Sequence, residues 1–212
     1  MGNDIVDLRS LEAAGKGADL PFVARVLTAA EEEALDRSGR RDLLLWLIWA
    51  AKETAYKAVS KGEGGLSFIP RRFQMDPTGI PADLSSLGNW QGLVRTPGGE
   101  VHVKAEATDD YVHVVGCTSD EALRRVTAFC AKPGGDESEL PRAEESRLVR
   151  GTAIEALAPY LGAVPEDLEI RRSPCAKGLG PPLLYHKGKP AAVDLSLSHH
   201  GRFVAVAFLA ID

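Results

Sequence analysis

Asp42-Leu43-Leu44-Leu45-Trp46-Leu47-Ile48-Trp49-Ala50-Ala51-Lys52-Glu53-Thr54-Ala55-Tyr56-Lys57-Ala58-Val59-Ser60 reads as one long helix. Its first half is apolar nearly all round, which predicts a buried central helix. Asp42 serves as N-cap or first-turn acid, and Lys61-Gly62 closes the far end. Residues four apart share a helical face, so Trp49, Glu53 and Lys57 form one stripe. A carboxylate beside an ammonium, anchored by a tryptophan, can hold a divalent cation, take a proton and steady a phosphate.

Upstream of this helix, residues 2–8 read as a short strand and 20–37 as helical. Phe22, Val23, Val26 and Leu27 share a face there, and Thr28 is placed to cap a second turn at Ala29-Ala30-Glu31. Downstream, strand patterns cover 66–75, 90–95, 101–108 and 111–117, followed by a helical pattern at 118–130. The polar, glycine-rich run 132–141 reads as a linker. A further helix is expected over 142–161, then strands at 168–172, 183–186, 193–198 and 203–210.

An internal repeat sharpens this order. At an offset of 92 residues, VHVKAEATDDYVHVVG (101–116) lies over VDLSLSHHGRFVAVAF (193–208) without a gap. Val101, Val112 and Val114 match Val193, Val204 and Val206, and Tyr111 matches Phe203. Both copies read as hairpins, and only the second carries Ser198-His199, where the first has Glu106-Ala107. The expected fold is therefore α+β: a pseudo-dimer of two similar lobes, each a long helix on a small, mainly antiparallel sheet. The boundaries read as an acidic lobe over 1–131, a linker over 132–141 and a Ser-His lobe over 142–212.

Composition narrows the function classes. With 44% hydrophobic and 26% charged residues, the 212-residue chain suits a globular protein with a sizeable core. A net charge of −5 argues against a broad nucleic-acid footprint. Cys117, Cys130 and Cys175 have no CxxC spacing, so neither a disulfide framework nor a zinc site is expected. No window is apolar enough to span a membrane, and no signal-peptide pattern begins the chain. Gly2 lacks the Ser or Thr that a myristoylation motif wants, since Val6 stands there. A cytoplasmic location is expected.

Several residues invite chemistry. An aspartate at a strand start is commonly a solvated end residue, and a helical glutamate commonly surface. Asp4 on a strand beside Glu53 on a helix would nonetheless suit Mg²⁺ with few protein ligands, water and phosphates filling the rest. Strand alternation puts Asp7 opposite Asp4 and out of that set. Ser198 and His199 are adjacent on a strand and face opposite ways, so they cannot form a dyad with each other. They can offer a hydroxyl, an imidazole and backbone N–H groups to an anion; the plain alternative is two polar residues before a turn at Gly201. His200 reads as exposed. The loop 61–65 follows a helix C-terminus and so lacks the free N–H groups of a P-loop.

Three motifs, in this order, resemble the 4′-phosphopantetheinyl transferase superfamily. They are Gly2-Asn3-Asp4-Ile5-Val6-Asp7, with Phe22, Arg25, Val26, Leu27, Thr28 and Glu31 after it; Trp49 to Ala58; and Ser196-Leu197-Ser198-His199. All three resemble the motifs of the small holo-acyl-carrier-protein synthases, which are roughly half this length and assemble as trimers. The larger class of the superfamily resembles a fused pseudo-dimer with its Ser-His half first. Here the acidic half comes first, so the lobes read as circularly permuted.

The resemblance implies transfer of phosphopantetheine from coenzyme A to a serine of an apo acyl or peptidyl carrier protein, releasing 3′,5′-ADP. It implies Mg²⁺ on Asp4 and Glu53, catalysis by Glu53, Lys57 and Asp4, and Glu53 or a water as base. Coenzyme A would meet Ser198, His199, Arg150 and Lys57. A Gly-Lys-Pro element at the adenine corresponds to Gly180-Pro181 or to Gly188-Lys189-Pro190; the latter fits a hairpin turn, which favours the former. Arg25 would meet the acidic carrier, and Lys52 reads as structural. Val6 replaces a third acid of the larger class, so two protein ligands are expected. A fused pair needs no second subunit, so a monomer is expected, in fatty-acid, polyketide or peptide synthesis. The competing readings are an inactive homologue that binds coenzyme A or carrier, and an unrelated magnesium-dependent phosphohydrolase, for which no water-activating base is evident.

Overall fold

The computed structural model describes residues 1–62, 66–81, 88–134, 142–175 and 178–211. Residues 63–65 of the loop after the central helix and 135–141 of the expected linker lie outside the described residues. Strand β1 (Gly2–Asp7) is followed by α1 (Leu20–Val26), α2 (Ala29–Arg37) and the central helix α3 (Arg41–Ser60). Next come β2 (Gln74–Met75), β3 (Gly88–Thr96), β4 (Gly99–Ala107), β5 (Tyr111–Cys117), α4 (Asp120–Arg125) and β6 (Thr127–Ala131). The rest comprises α5 (Arg142–Leu161), β7 (Leu168–Arg171), β8 (Pro174–Cys175), β9 (Gly178–Leu179), β10 (Leu183–His186), β11 (Lys189–Pro190), β12 (Val193–His200) and β13 (Phe203–Ala210).

Two helix-on-sheet layers result, as the α+β pseudo-dimer requires. A five-stranded antiparallel sheet, ordered β1-β5-β4-β3-β2, packs against α3. Ile48, Ala51 and Ala55 of the helix share that core with Val6, Val101, Val103, Val112 and Val114 of the strands. In the second layer, β12-β13-β6 packs against α5 through Val149, Ala153 and Leu157 on Val204, Val206 and Phe208. Each valine, leucine, isoleucine or phenylalanine among them contributes roughly 1.5–3 kcal/mol on burial. No helix among the described residues is long and apolar enough to cross a membrane.

The 92-residue repeat holds at the level of hydrogen-bond register. Ala107 pairs with Val112 in the first hairpin, and His199 pairs with Val204 in the second; every other shared pair shifts by the same 92. The third strands correspond too: β1 places Val6 against Val112 and β6 places Ala131 against Val204. Tyr111 and Phe203, equivalent in the repeat, meet each other with ring centroids 4.9 Å apart. Ile5, Phe203 and Ala205 form a small core there with Tyr111 and Cys130. Counterpart residues in mutual contact are what a local two-fold axis produces.

Two expectations need correction. Residues 118–130 are not one helix: Ser119 caps a six-residue helix by accepting from Ala122 N, and the chain then turns into β6. That strand pairs with β13, the strand that follows the Ser-His turn. Residues 66–75 are likewise no full strand, because Pro70 starts a short 3-10 turn and only Gln74–Met75 joins the sheet.

Lys52 has the structural place expected of it. Its fully buried ammonium donates to Glu31 Oε2 (2.6 Å) and to the Val26 carbonyl (2.9 Å). Glu31 in turn accepts from Thr28 N (2.8 Å), as the capping residue of α2, and from Met75 N (2.9 Å). One ion pair therefore joins α1, α2, α3 and β2. Burial pulls the lysine pKa down while the Glu31 charge opposes it. Lys52→Met strands the Glu31 charge and should cost roughly 3–5 kcal/mol in urea unfolding; a loss below about 1 kcal/mol would show that the pair carries little of the packing.

Candidate active site

The site is built outward from β1, all six of whose residues are buried. The strand lies directly on the helix backbone: a Cβ on Gly2 would sit 2.2 Å from the Thr54 carbonyl oxygen and 2.9 Å from Ala58 N. Only glycine permits that approach, and it brings Asp4 to the last turns of α3. Lys57 Nζ donates to Asp4 Oδ1 (2.7 Å) and to the Asn3 carbonyl (3.0 Å). Glu53 lies one turn earlier on the same stripe. Burial first, then the Asp4 charge, raises its pKa from 4.5 to about 7, with Lys57 opposing. Trp49 anchors the stripe as expected, with its ring centroid 5.9 Å from that of Phe22 and 5.6 Å from that of Phe68.

The other face of β1 meets the second sheet. Asn3 N donates to Ser196 Oγ (2.9 Å), which donates back to Asn3 Oδ1 (3.2 Å). His113 stands beside Asn3 in the same interface, and burial, aided by the Lys57 charge, pushes it down to about 4. At the strand end, Asp7 is fully buried and Arg202 grips its carboxylate through Nε, a terminal nitrogen and the backbone N–H, at 2.8, 2.8 and 2.9 Å. Gly201 makes that grip possible: it has φ +57°, and a Cβ there would lie 2.5 Å from Asp7 Oδ2. The pKa of Asp7 falls below the usual carboxylate range; burial opposes this, but the Arg202 bonds outweigh it.

This clamp sets β12 alongside β1. Ser198 Oγ is buried and has no hydrogen-bond partner among the described residues. His199 is on the opposite face, as alternation requires, and its Nδ1 is 3.2 Å from Glu145 Oε2 of α5. Burial lowers the imidazole pKa; Glu145 and Asp4 oppose the shift, while Lys57 and His200 reinforce it. Asp4, Glu53, Lys57 and His199 thus share one electrostatic neighbourhood. His200 is not merely exposed, since its Nδ1 accepts from Asp7 N (3.1 Å).

The remaining sequence candidates stand elsewhere. Arg150 is half-buried on α5. Gly180 follows β9, donating to the Ser173 carbonyl (2.8 Å) and accepting from Arg172 Nε (2.8 Å); Pro181 beside it is exposed. None of these three shares a hydrogen bond or ion pair with the Asp4–Lys57 group. Gly188-Lys189-Pro190 does enter a tight hairpin, with Lys187 and Gly188 at φ +50° and +77° between His186 and Lys189. Arg25 is exposed at the end of α1, its guanidinium 5.4 Å from the Phe22 ring centroid.

Sequence reasoning overlooked the Asp7–Arg202 clamp, the Glu145–His199 pair and the Lys61–Asp194 ion pair at 2.5 Å. The Gly-Arg following Ser-His-His was the one available signal, because a glycine in a tight turn often admits a neighbour. The counterpart of this site across the local two-fold axis carries different residues. Phe129 of β6 takes the position of Asp4, and Ala128 that of Asn3. Where Asn3 fills the interface on one side, the counterpart side holds a cavity of about 390 Å³ lined by Gln91, Lys104, Glu106, His113 and Ala128.

Among the described residues no three His, Cys, Asp or Glu gather into a metal cluster, so the protein offers the Asp4–Glu53 pair. Two carboxylates near one lysine, one of them raised by burial and then by the other's charge, form a donor set short of positive charge. That fits a hard divalent cation completed by water and phosphate oxygens. A raised carboxylate pKa means the folded protein binds more protons than the unfolded chain between about 4.5 and 7, so stability falls as pH rises through that window. Glu53→Gln should therefore stabilise the metal-free protein by about 1–3 kcal/mol at pH 8, with the gain gone below pH 4.5, as read by thermal melts. A gain independent of pH would refute the electrostatic origin.

Comparison with known proteins gives the family. Residues 1–112 match the family described as the 4′-phosphopantetheinyl transferase superfamily. A holo-[acyl-carrier-protein] synthase of Paramagnetospirillum magneticum (strain ATCC 700264 / AMB-1) is 34% identical over 116 residues, spanning 52% of this chain and 86% of that protein. The family match covers β1, α3 and β4, ends at the start of β5, and stops before Ser198-His199. The chain belongs to the 4′-phosphopantetheinyl transferase superfamily and is an enzyme of phosphopantetheinyl transfer.

Proposed function

We propose that this enzyme moves 4′-phosphopantetheine from coenzyme A to a serine of an apo acyl or peptidyl carrier protein and releases 3′,5′-ADP. The observation that carries the reading is the Asp4–Lys57–Glu53 group, with Glu53 lifted to about 7 by burial and its neighbour. Asp4 and Glu53 are the residues that would hold Mg²⁺, which when bound supplies charge neutralisation at the pyrophosphate and leaving group. Lys57 steadies the phosphoryl oxygens as charge develops. A carboxylate near 7 is also placed to accept the serine proton, directly or through water. Ser198, whose buried hydroxyl has no partner among the described residues, and His199 meet coenzyme A phosphates from the second lobe. Arg150, Gly180 and Pro181 complete the nucleotide end, and Arg25 meets the acidic carrier.

The two-lobe division, 1–131 and 142–212 about a 132–141 linker, has β6 reaching across to complete the second sheet. Such a chain completes its site without a second subunit and acts as a monomer in the cytoplasm. Incubated with Mg²⁺, coenzyme A and a panel of apo-carriers, the purified protein should add one phosphopantetheine per carrier, measured by intact mass. Glu53→Ala should abolish the gain while retaining a cooperative melt. No mass gain on any carrier would overturn the function, and gain with Glu53→Ala would overturn the site.

A further inference from the structure

His199 is supported from outside its own strand. Its strand presents it on the face opposite Ser198, and α5 delivers Glu145 to its Nδ1 at 3.2 Å. The carboxylate is partly sheltered, with 21% of its side chain exposed against 37% for the imidazole. α5 is held against β12 and β13 by Val149, Ala153 and Leu157, so Glu145 projects from an anchored element. A carboxylate at ion-pair distance from Nδ1 restrains the ring and leaves Nε2 for a ligand. A neutral ring would turn a lone pair toward that ligand, whereas an imidazolium turns an N–H toward it. A carboxylate at Nδ1 favours the imidazolium, the form that binds a phosphate oxygen. Burial, with Lys57 and His200, lowers the imidazole pKa overall, and Glu145, with Asp4 after it, opposes that shift.

We propose that Glu145 is a positioning residue for coenzyme A recognition, acting through His199: it restrains the ring and favours the imidazolium, whose Nε2–H can meet a phosphate. The inference rests on the proposed contact between His199 and coenzyme A, and the test separates the two. Steady-state kinetics with coenzyme A as the varied substrate are compared for the parent enzyme, Glu145→Gln, Glu145→Ala, His199→Ala and the Glu145→Ala/His199→Ala double variant. Glu145→Ala should raise KM for coenzyme A about tenfold with kcat within about twofold. Glu145→Gln, which keeps an acceptor and loses the charge, should fall between parent and Ala. The double variant should be no worse than His199→Ala alone, because a residue acting through another has nothing left to act on.

Additive losses in the double variant would mean that Glu145 works by another route, and would overturn the inference. An unchanged KM in both Glu145 variants, with KM raised in His199→Ala, would also overturn it while leaving the site assignment intact. An unchanged KM in His199→Ala would remove the coenzyme A contact itself and the inference with it. A helix-wide packing effect is told apart by Glu145→Gln, which should melt within a few degrees of the parent.

Discussion

Everything at the site depends on the two-residue alternation of one strand buried on both sides. β1 sends Gly2, Asp4 and Val6 toward the central helix, and Asn3, Ile5 and Asp7 toward the second sheet. The even positions give the close approach to Thr54 and the Asp4–Lys57 bond. The odd positions give the Ser196 bond, the small core at the local axis and the Arg202 clamp. A one-residue slip would exchange the two sets, placing Asp4 in the interface and Asn3 against Lys57. The register of β1 against β5 and β12 is thus what joins the acidic group to the Ser-His strand.

The local two-fold axis works by being broken. Its backbone half is intact: the two hairpins share a register, β6 stands for β1, and Tyr111 meets Phe203. Its chemical half is not, since Phe129 stands for Asp4 and Glu106 for Ser198. A carboxylate pair on one side therefore has no equivalent on the other, where an open cavity replaces the Asn3 contacts. Charge is also distributed by role. Asp7 and Lys52 are deeply buried and fully paired, which suits joints of the fold. Glu53 is left with its pKa raised, which suits a group that must exchange a proton or bind a cation.

Much of this was legible in the residues. The central helix, both hairpins and their 92-residue relation follow from apolar periodicity, because packing enforces it directly. Lys52 reads as structural and Asp7 as facing away from Asp4 by geometry alone. What escaped depends on contacts between distant segments. Residues 127–131 have too short a pattern to reveal a strand, and only β13 makes them one. The Asp7–Arg202 and Glu145–His199 pairs join residues 195 and 54 positions apart, and nothing local marks either partner. The scattered strands β8, β9 and β11 are two residues each, below what any periodicity can define.

The central claim is that one chain forms one complete site from two unequal lobes. Native mass spectrometry of the protein with Mg²⁺ and coenzyme A tests it most directly. The account predicts a 22.7 kDa monomer carrying a single coenzyme A, with binding weakened by Asp4→Asn and by His199→Ala alike. Two coenzyme A molecules per chain, or binding only in a multi-chain assembly, would contradict it.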